Sequence, residues 1–159
     1  MLINFSDNVI YKILDIKQVS RTRKGGRQRR FRVLLICGNY TGWLGIGIGK
    51  GNNITEATNK ARYSAYKYIY YFNITLSGSI FKSIETKFKK TKLILKPLSI
   101  GKGLIVPSLV RNILELIGYK NVWGVLIGSN NKLNMAKATI NALLTLNKHY
   151  LVYLNSLDR

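Results

Sequence analysis

The order of patterns along the chain predicts an α+β fold in two units, βββα followed by ββαβα. Three observations carry it. Strand-length apolar runs broken by turn residues occupy residues 8–49, and segments with 3.6-residue periodicity begin near residues 53, 107 and 132. Between them lies NITLSGS at 73–79, polar, turn-rich and uncharged, the best place for a boundary. The expected units are therefore residues 8–73 and 79–150.

The first unit opens with a segment at 8–20 carrying Val9, Ile10, Ile13, Leu14, Ile16 and Val19, read as an extended strand with part of it open to a helix. A basic loop is expected at 21–29, with Gly25-Gly26 supplying a tight reversal. A second strand follows at 30–37. Phe31, Val33, Leu35 and Cys37 alternate with Arg30, Arg32, Leu34 and Ile36, and the end reads as a two-sided apolar run of a sheet centre. After a hairpin turn at 38–42, a third strand at 43–49 carries Gly45, Gly47 and Gly49, and Gly51 follows it. A helix starts near Asn53, with Glu56 placed to reach back as in a capping box. Its stripe is Ile54, Ala57, Ala61, Ala65, Ile69 and Phe72. Three alanines against alternate glycines predict a helix docked closely on the strand. Tyr63, Tyr66, Tyr68, Tyr70 and Tyr71 follow at spacings that read as packing.

In the second unit, strands at 80–87 and 92–100 flank a basic bend at Lys87, Lys89 and Lys90, and Pro97 suits a strand end. Pro107-Ser108 starts a helix whose face is Val110, Ile113, Leu114 and Ile117 and which Gly118 ends. A strand at 122–127, a turn at Gly128-Ser129-Asn130-Asn131 with capping potential, and a last helix from about Lys132 to Leu146 complete the order.

Charge is the extreme feature. The 159 residues hold 26 Lys+Arg against 6 Asp+Glu, a net charge of +20. With 47% hydrophobic residues the chain has a core to bury, so this is a folded polycation, and nucleic acid is its natural polyanionic partner. No run approaches the 18 or so apolar residues of a membrane span, so a membrane partner is not expected. The start, MLINFSDNVIY, reads as neither a secretory signal nor a transit peptide. Arg21, Arg23, Lys24, Arg27, Arg29 and Arg30, six basic residues in ten positions, are dense enough to expect phosphate binding. Such contacts position without reading sequence.

Catalysis has little to work with. The acids Asp7, Asp15, Glu56, Glu85, Glu115 and Asp158 form no close pair in sequence, and His149 is the only histidine. Neither a metal cluster nor any other cofactor is expected, and no enzyme activity or small-molecule substrate. Cys37, inside an apolar run, reads as a small buried hydrophobe. The glycine ladder is no nucleotide site. A phosphate loop needs a glycine where Leu44 stands and Ser or Thr where Gly51 stands, and G-x-G-x-x-G fits no register of it.

Several motifs together resemble one family. Val19 to Arg27 (VSRTRKGGR) and Gly42 to Lys50 (GWLGIGIGK) resemble the small-subunit ribosomal proteins numbered five. So do Ser99 to Ile105 (SIGKGLI), Leu114 to Val122 (LELIGYKNV), Gly128-Ser129-Asn130-Asn131 and Ala138 to Leu143 (ATINAL), collinear over roughly residues 10–147. The resemblance implies a double-stranded-RNA-binding-like βββα domain, then a small α/β domain with a left-handed crossover where the right-handed form is the default. It implies a structural constituent of the small ribosomal subunit that binds ribosomal RNA by the messenger entrance channel and supports decoding accuracy. Its partners would be small-subunit ribosomal RNA, messenger RNA at that channel and ribosomal proteins four and eight. The RNA-binding role carries to Ser20, Arg21, Lys24, Gly25, Gly26 and Arg27. Lys50 and Lys102, in the matched glycine-rich motifs, join Arg23, Arg29 and Arg30 in the expected RNA-binding set. Arg111 would face protein four. Trp43 stands where the family usually has a basic residue, and Pro107-Ser108 where it has small glycines. Abundant Ile, Asn, Lys and Tyr point to an AT-rich genome, favouring an organellar ribosome, plastid-type or mitochondrial, over a bacterial one. A free-standing double-stranded-RNA-binding regulator or RNA chaperone is the alternative.

Overall fold

The computed structural model describes residues 9–157; the chain's first residues, read above for a targeting signal, lie outside them. The chain divides into two compact units, residues up to Asn39 with Trp43–Tyr70, and Tyr40–Gly42 with the chain from Tyr71 on.

In the first unit, β1 (Ile10–Arg23), β2 (Gly26–Gly38) and β3 (Trp43–Gly51) form an antiparallel meander, followed by α1 (Ile54–Lys67) and a short β4 (Ile69–Tyr71) beside β3. Successive strand residues point to opposite faces, so this register sorts the side chains. Val33, Leu35 and Cys37 share one face with Gly45, Gly47 and Gly49 and bury against Ala57, Ala61 and Ala65 of α1. Phe31, Trp43, Val9 and Tyr11 flank this core, so Trp43 serves the packing here. The expected glycine–alanine docking is present. A Cβ on Gly47 would lie 2.5 Å from the Ala65 nitrogen, and one on Gly49 2.5 Å from the Ala61 nitrogen. Leu34 and Ile36, on the opposite face, are also buried.

Four expectations need correction here. The basic segment at 21–29 is not a loop: β1 and β2 run through it, and only Lys24-Gly25 turn. Gly25 (φ 96°) and Gly26 (φ 130°) take the left-handed backbone that the reversal needs. The helix stripe stops short, because Tyr68 leaves the helix and its carbonyl accepts a hydrogen bond from the Ile46 N–H (3.3 Å). Ile69 therefore joins β4, in an Ile-Tyr-Tyr run that suits a strand, and Phe72 lies in the other unit. Asn53 is the N-cap residue without a side-chain cap bond; Glu56 Oε2 instead accepts from the Asn52 N–H at 2.9 Å. The tyrosines divide. Tyr66 packs edge-on against Tyr11, while Tyr63, Tyr68 and Tyr71 are largely exposed.

The second unit holds a four-stranded sheet ordered β5 (Ile84–Phe88), β6 (Thr91–Pro97), β8 (Val122–Gly128), β7 (Leu104–Ile105), with α2 (Ser108–Ile117) and α3 (Lys132–Leu157). β5, β6 and β8 pair antiparallel, and β7 pairs parallel with β8, the two joined through α2. The core is Leu93 and Leu95 with Val110, Ile113, Leu114 and Ile117 of α2 and Ala136, Ile140 and Leu143 of α3. Gly118 ends α2 in the left-handed region (φ 114°). The carbonyls of Leu116 and Ile117 accept from Tyr40 N–H (2.9 Å) and Gly42 N–H (2.8 Å), which satisfies the orphan acceptors of a helix end. β7 was not expected, the first two strands are shorter than read, and α3 runs on from Leu146 to Leu157. Asn131 caps α3 through Oδ1, which accepts from the Leu133 N–H (3.1 Å). Buried Asn121 ties three segments: its Nδ2 donates to Ser77 O (2.7 Å), its Oδ1 accepts from Gly103 N–H (3.1 Å), and its carbonyl accepts from Ser79 Oγ (2.5 Å).

A cationic two-stranded arm as candidate nucleic-acid interface

The distal halves of β1 and β2 form a ribbon on which every residue from Lys17 to Arg30 is exposed. The backbone ladder holds it, closed by the two-residue turn, and no helix covers it. The structure places the expected site residues as follows. Ser20, Arg21 and Arg23 are on β1, Lys24 and Gly25 make the turn, and Gly26, Arg27, Arg29 and Arg30 are on β2. The register splits them between two faces. Arg21 opposes Gln28, and Arg30 opposes Val19; on the other face Arg27 opposes Thr22, and Arg29 opposes Ser20. A shallow depression on the ribbon is lined by Val19, Ser20, Arg21, Arg23, Gln28 and Arg30. Lys50, exposed near the end of β3, opposes Arg32.

Sequence reasoning missed Lys17 and Arg32. Both belong to the same surface, because Lys17 opposes Arg32 as Arg32 opposes Lys50. The signal was available: equal steps outward from the Lys24-Gly25 turn pair 23 with 26 and 17 with 32.

In the second unit, Lys102 is in the loop before β7 and Arg111 on the exposed side of α2, where its guanidinium donates to Leu104 O (3.0 Å). The two meet on one shallow surface with Glu115, Tyr119 and Lys120.

The reactive groups are quiet. Burial pushes the Cys37 thiol up to about 11, against a weaker lowering by its Gly45 backbone hydrogen bond. Lys60, at 2.5 Å from Glu56 Oε1, holds that exposed carboxyl below its usual value, helped by the Asn52 N–H. Tyr66 is raised to about 12, first by its hydrogen bond with the Tyr11 hydroxyl and then by burial. Burial also raises Tyr119, whose hydroxyl donates to Asn73 O (2.9 Å). Among the described residues, no three His, Cys, Asp or Glu side chains come together as metal ligands, and no helix is long and apolar enough to cross a membrane.

A βββα unit with a cationic ribbon, followed by a small α/β unit, defines a two-domain α+β protein with a polycationic arm. Residues 9–73 match the family description "Ribosomal protein S5, N-terminal domain", and residues 86–154 match "Ribosomal protein S5, C-terminal domain". The chain belongs to the ribosomal protein S5 family, whose members are structural components rather than enzymes. It is 38% identical over 136 residues to small ribosomal subunit protein uS5c of Cyanidium caldarium, covering 86% of this chain and 81% of that one. Small ribosomal subunit protein uS5 of Nostoc punctiforme is 38% identical over 135 residues, 85% of this chain and 77% of the relative. The uS5c of Gracilaria tenuistipitata var. liui is 40% identical over 132 residues, 83% and 77% of the two chains.

Proposed function

We propose that this protein is a structural constituent of the small ribosomal subunit and that it holds ribosomal RNA with its β1–β2 arm beside the messenger entrance channel, supporting decoding accuracy. The observation that carries the reading is the arm itself. Five arginines and a lysine crowd the end of an exposed ribbon between Arg21 and Arg30, a segment that overlaps one of the motifs resembling the family. Phosphate neutralisation by such a ribbon positions RNA without reading bases. Ser20, Arg21, Arg23, Lys24, Gly25, Gly26, Arg27, Arg29, Arg30, Lys50 and Lys102 form the RNA-contacting set. Arg111 faces protein four, protein eight is the second neighbour, and messenger RNA passes the basic surface. The role is structural and needs no cofactor. Relatives named uS5c and cyanobacterial relatives named uS5 support a ribosome of plastid or bacterial type.

The test is sedimentation of the tagged protein from its native source through a sucrose gradient in moderately high salt. Co-migration with small subunits, lost on charge reversal of Arg23, Lys24 and Arg27, is the expected result. Migration as free protein, or with RNA smaller than the subunit, overturns the reading and leaves a free-standing RNA-binding regulator.

A further inference from the structure

The arm has two faces, and they differ. Counting by register, the face turned away from α1 carries Arg23, Arg21 opposite Gln28, Arg30 opposite Val19, and then a transverse row of three cations, Lys17–Arg32–Lys50, across β1, β2 and β3. At about 3.3 Å per residue, this track runs roughly 20 Å from the turn to the row. The face toward α1 carries Arg27 and Arg29 with Ser20, Thr22 and Gln18, and then meets Phe31 and the helix-covered core.

The row runs against the sheet's own interest. Like charges directly opposite one another destabilise strand pairing, and Arg32 has a cation on each side. Lys17 has Asp15 only at 3.9 Å. Among the described residues, Arg30, Arg32 and Lys50 make no ion pair. An external polyanion would relieve this arrangement. Five of the six residues that line the depression, Val19, Arg21, Arg23, Gln28 and Arg30, belong to this face, and Ser20 completes it from the strand between them. From the turn to the row, this face of the two arm strands presents no aromatic ring. Single-strand binders combine a basic groove with aromatic rings on which bases stack, whereas paired RNA presents ridges of phosphate and 2′-hydroxyls recognised by shape.

We propose that the arm grips paired RNA along its helix-free face, with the Lys17–Arg32–Lys50 row as the inner end of the phosphate track. The inference rests on the RNA-binding reading above and extends it to two residues outside the expected set, to one face and to one RNA form.

The test uses the full chain and three RNAs: a duplex of about 16 base pairs, one of its strands alone, and small-subunit ribosomal RNA. K17Q/R32Q/K50Q is compared with K60Q/R62Q/K67Q, which removes the same charge from the exposed side of α1. The row variant should lose at least about tenfold in duplex affinity, and its log–log salt slope should fall by about 2 to 3. The α1 variant should stay within about threefold of wild type. A melting temperature for the row variant at or above wild type shows that the loss is not unfolding. Equal losses from both triples would mean diffuse attraction and overturn the proposal, as would an unaffected row variant or a single strand that binds as tightly as the duplex. Duplex binding that obeys these rules, with ribosomal RNA bound no tighter than the duplex, would uphold the face and sink the ribosomal reading instead.

Discussion

One pair of strands, β1 and β2, is two different structures along its length. In the proximal half, Val33, Leu35 and Cys37 are closed off from solvent and the neighbouring strand is glycine at alternate positions so that α1 can sit on it. In the distal half, from Lys17 to Arg30, every residue is exposed and half are Lys or Arg. The backbone pairing runs through both, with one register shift between Ile13 and Asp15 in the proximal half. The difference teaches that the ladder sets shape, while burial decides what a substitution does. Changes in the proximal half should act on stability, and changes in the distal half on the partner.

The comparison breaks most sharply at Gly49. Its backbone is not in the left-handed region, so its requirement is steric: an added Cβ meets the backbone of Ala57 and Ala61. No side-chain rotation relieves a clash with backbone. Gly49→Val should cost at least about 3 kcal/mol, read as a fall in the denaturation midpoint. A loss below about 1 kcal/mol would mean that the helix slides freely on the strand and that the glycine–alanine fit is not what holds it.

A second test uses pH. The Cys37 thiol (about 11 against an ordinary 9.0) and the Tyr66 hydroxyl (about 12 against 10.0) are both raised in the fold. The fold therefore favours their neutral forms. The stability they contribute is fully present below pH 9 and 10 respectively, and is lost as pH climbs through the raised values. The arm's arginines keep their charge throughout. Cys37→Ala should cost about 1 kcal/mol at pH 8, and the gap from wild type should narrow between pH 9 and about 11. A gap constant across that range would show that Cys37 titrates alike in the folded and unfolded chain.

The glycine–alanine docking was legible because both partners write a period: alternate glycines on a strand, alanines four apart on a helix. The arm's cations were legible from density, but their strand conformation was not. Arginine and lysine carry no apolar alternation, so the period that marks a strand vanishes where the ribbon leaves the core. The end of α1 at Lys67 was hidden for the opposite reason. Ile69 and Phe72 keep the helical spacing, but the carbonyl of Tyr68 pairs with β3 instead. The Lys17–Arg32–Lys50 row needed the register, which belongs to pairing rather than to any one segment. Asn121 could not be read at all, because its three tethers join residues 77–79 and 103 that only the fold brings near.

The smallest effect on the melting temperature falls at the arm's turn. Gly25 has φ 96° and nothing within 4 Å of an added Cβ, so its requirement is purely conformational, the reverse of Gly49. Gly25→Ala should cost about 1 kcal/mol. Where that cost appears decides whether the arm is a cooperative unit of its own. Residues 17–30 are all exposed, so the strained turn can open without disturbing the core. Amide exchange in the arm should then quicken about fivefold, while amides at Val33–Cys37 keep their rates and the melting temperature barely moves. Equal acceleration in both halves would show that ribbon and core open together, and the division drawn between them would fall.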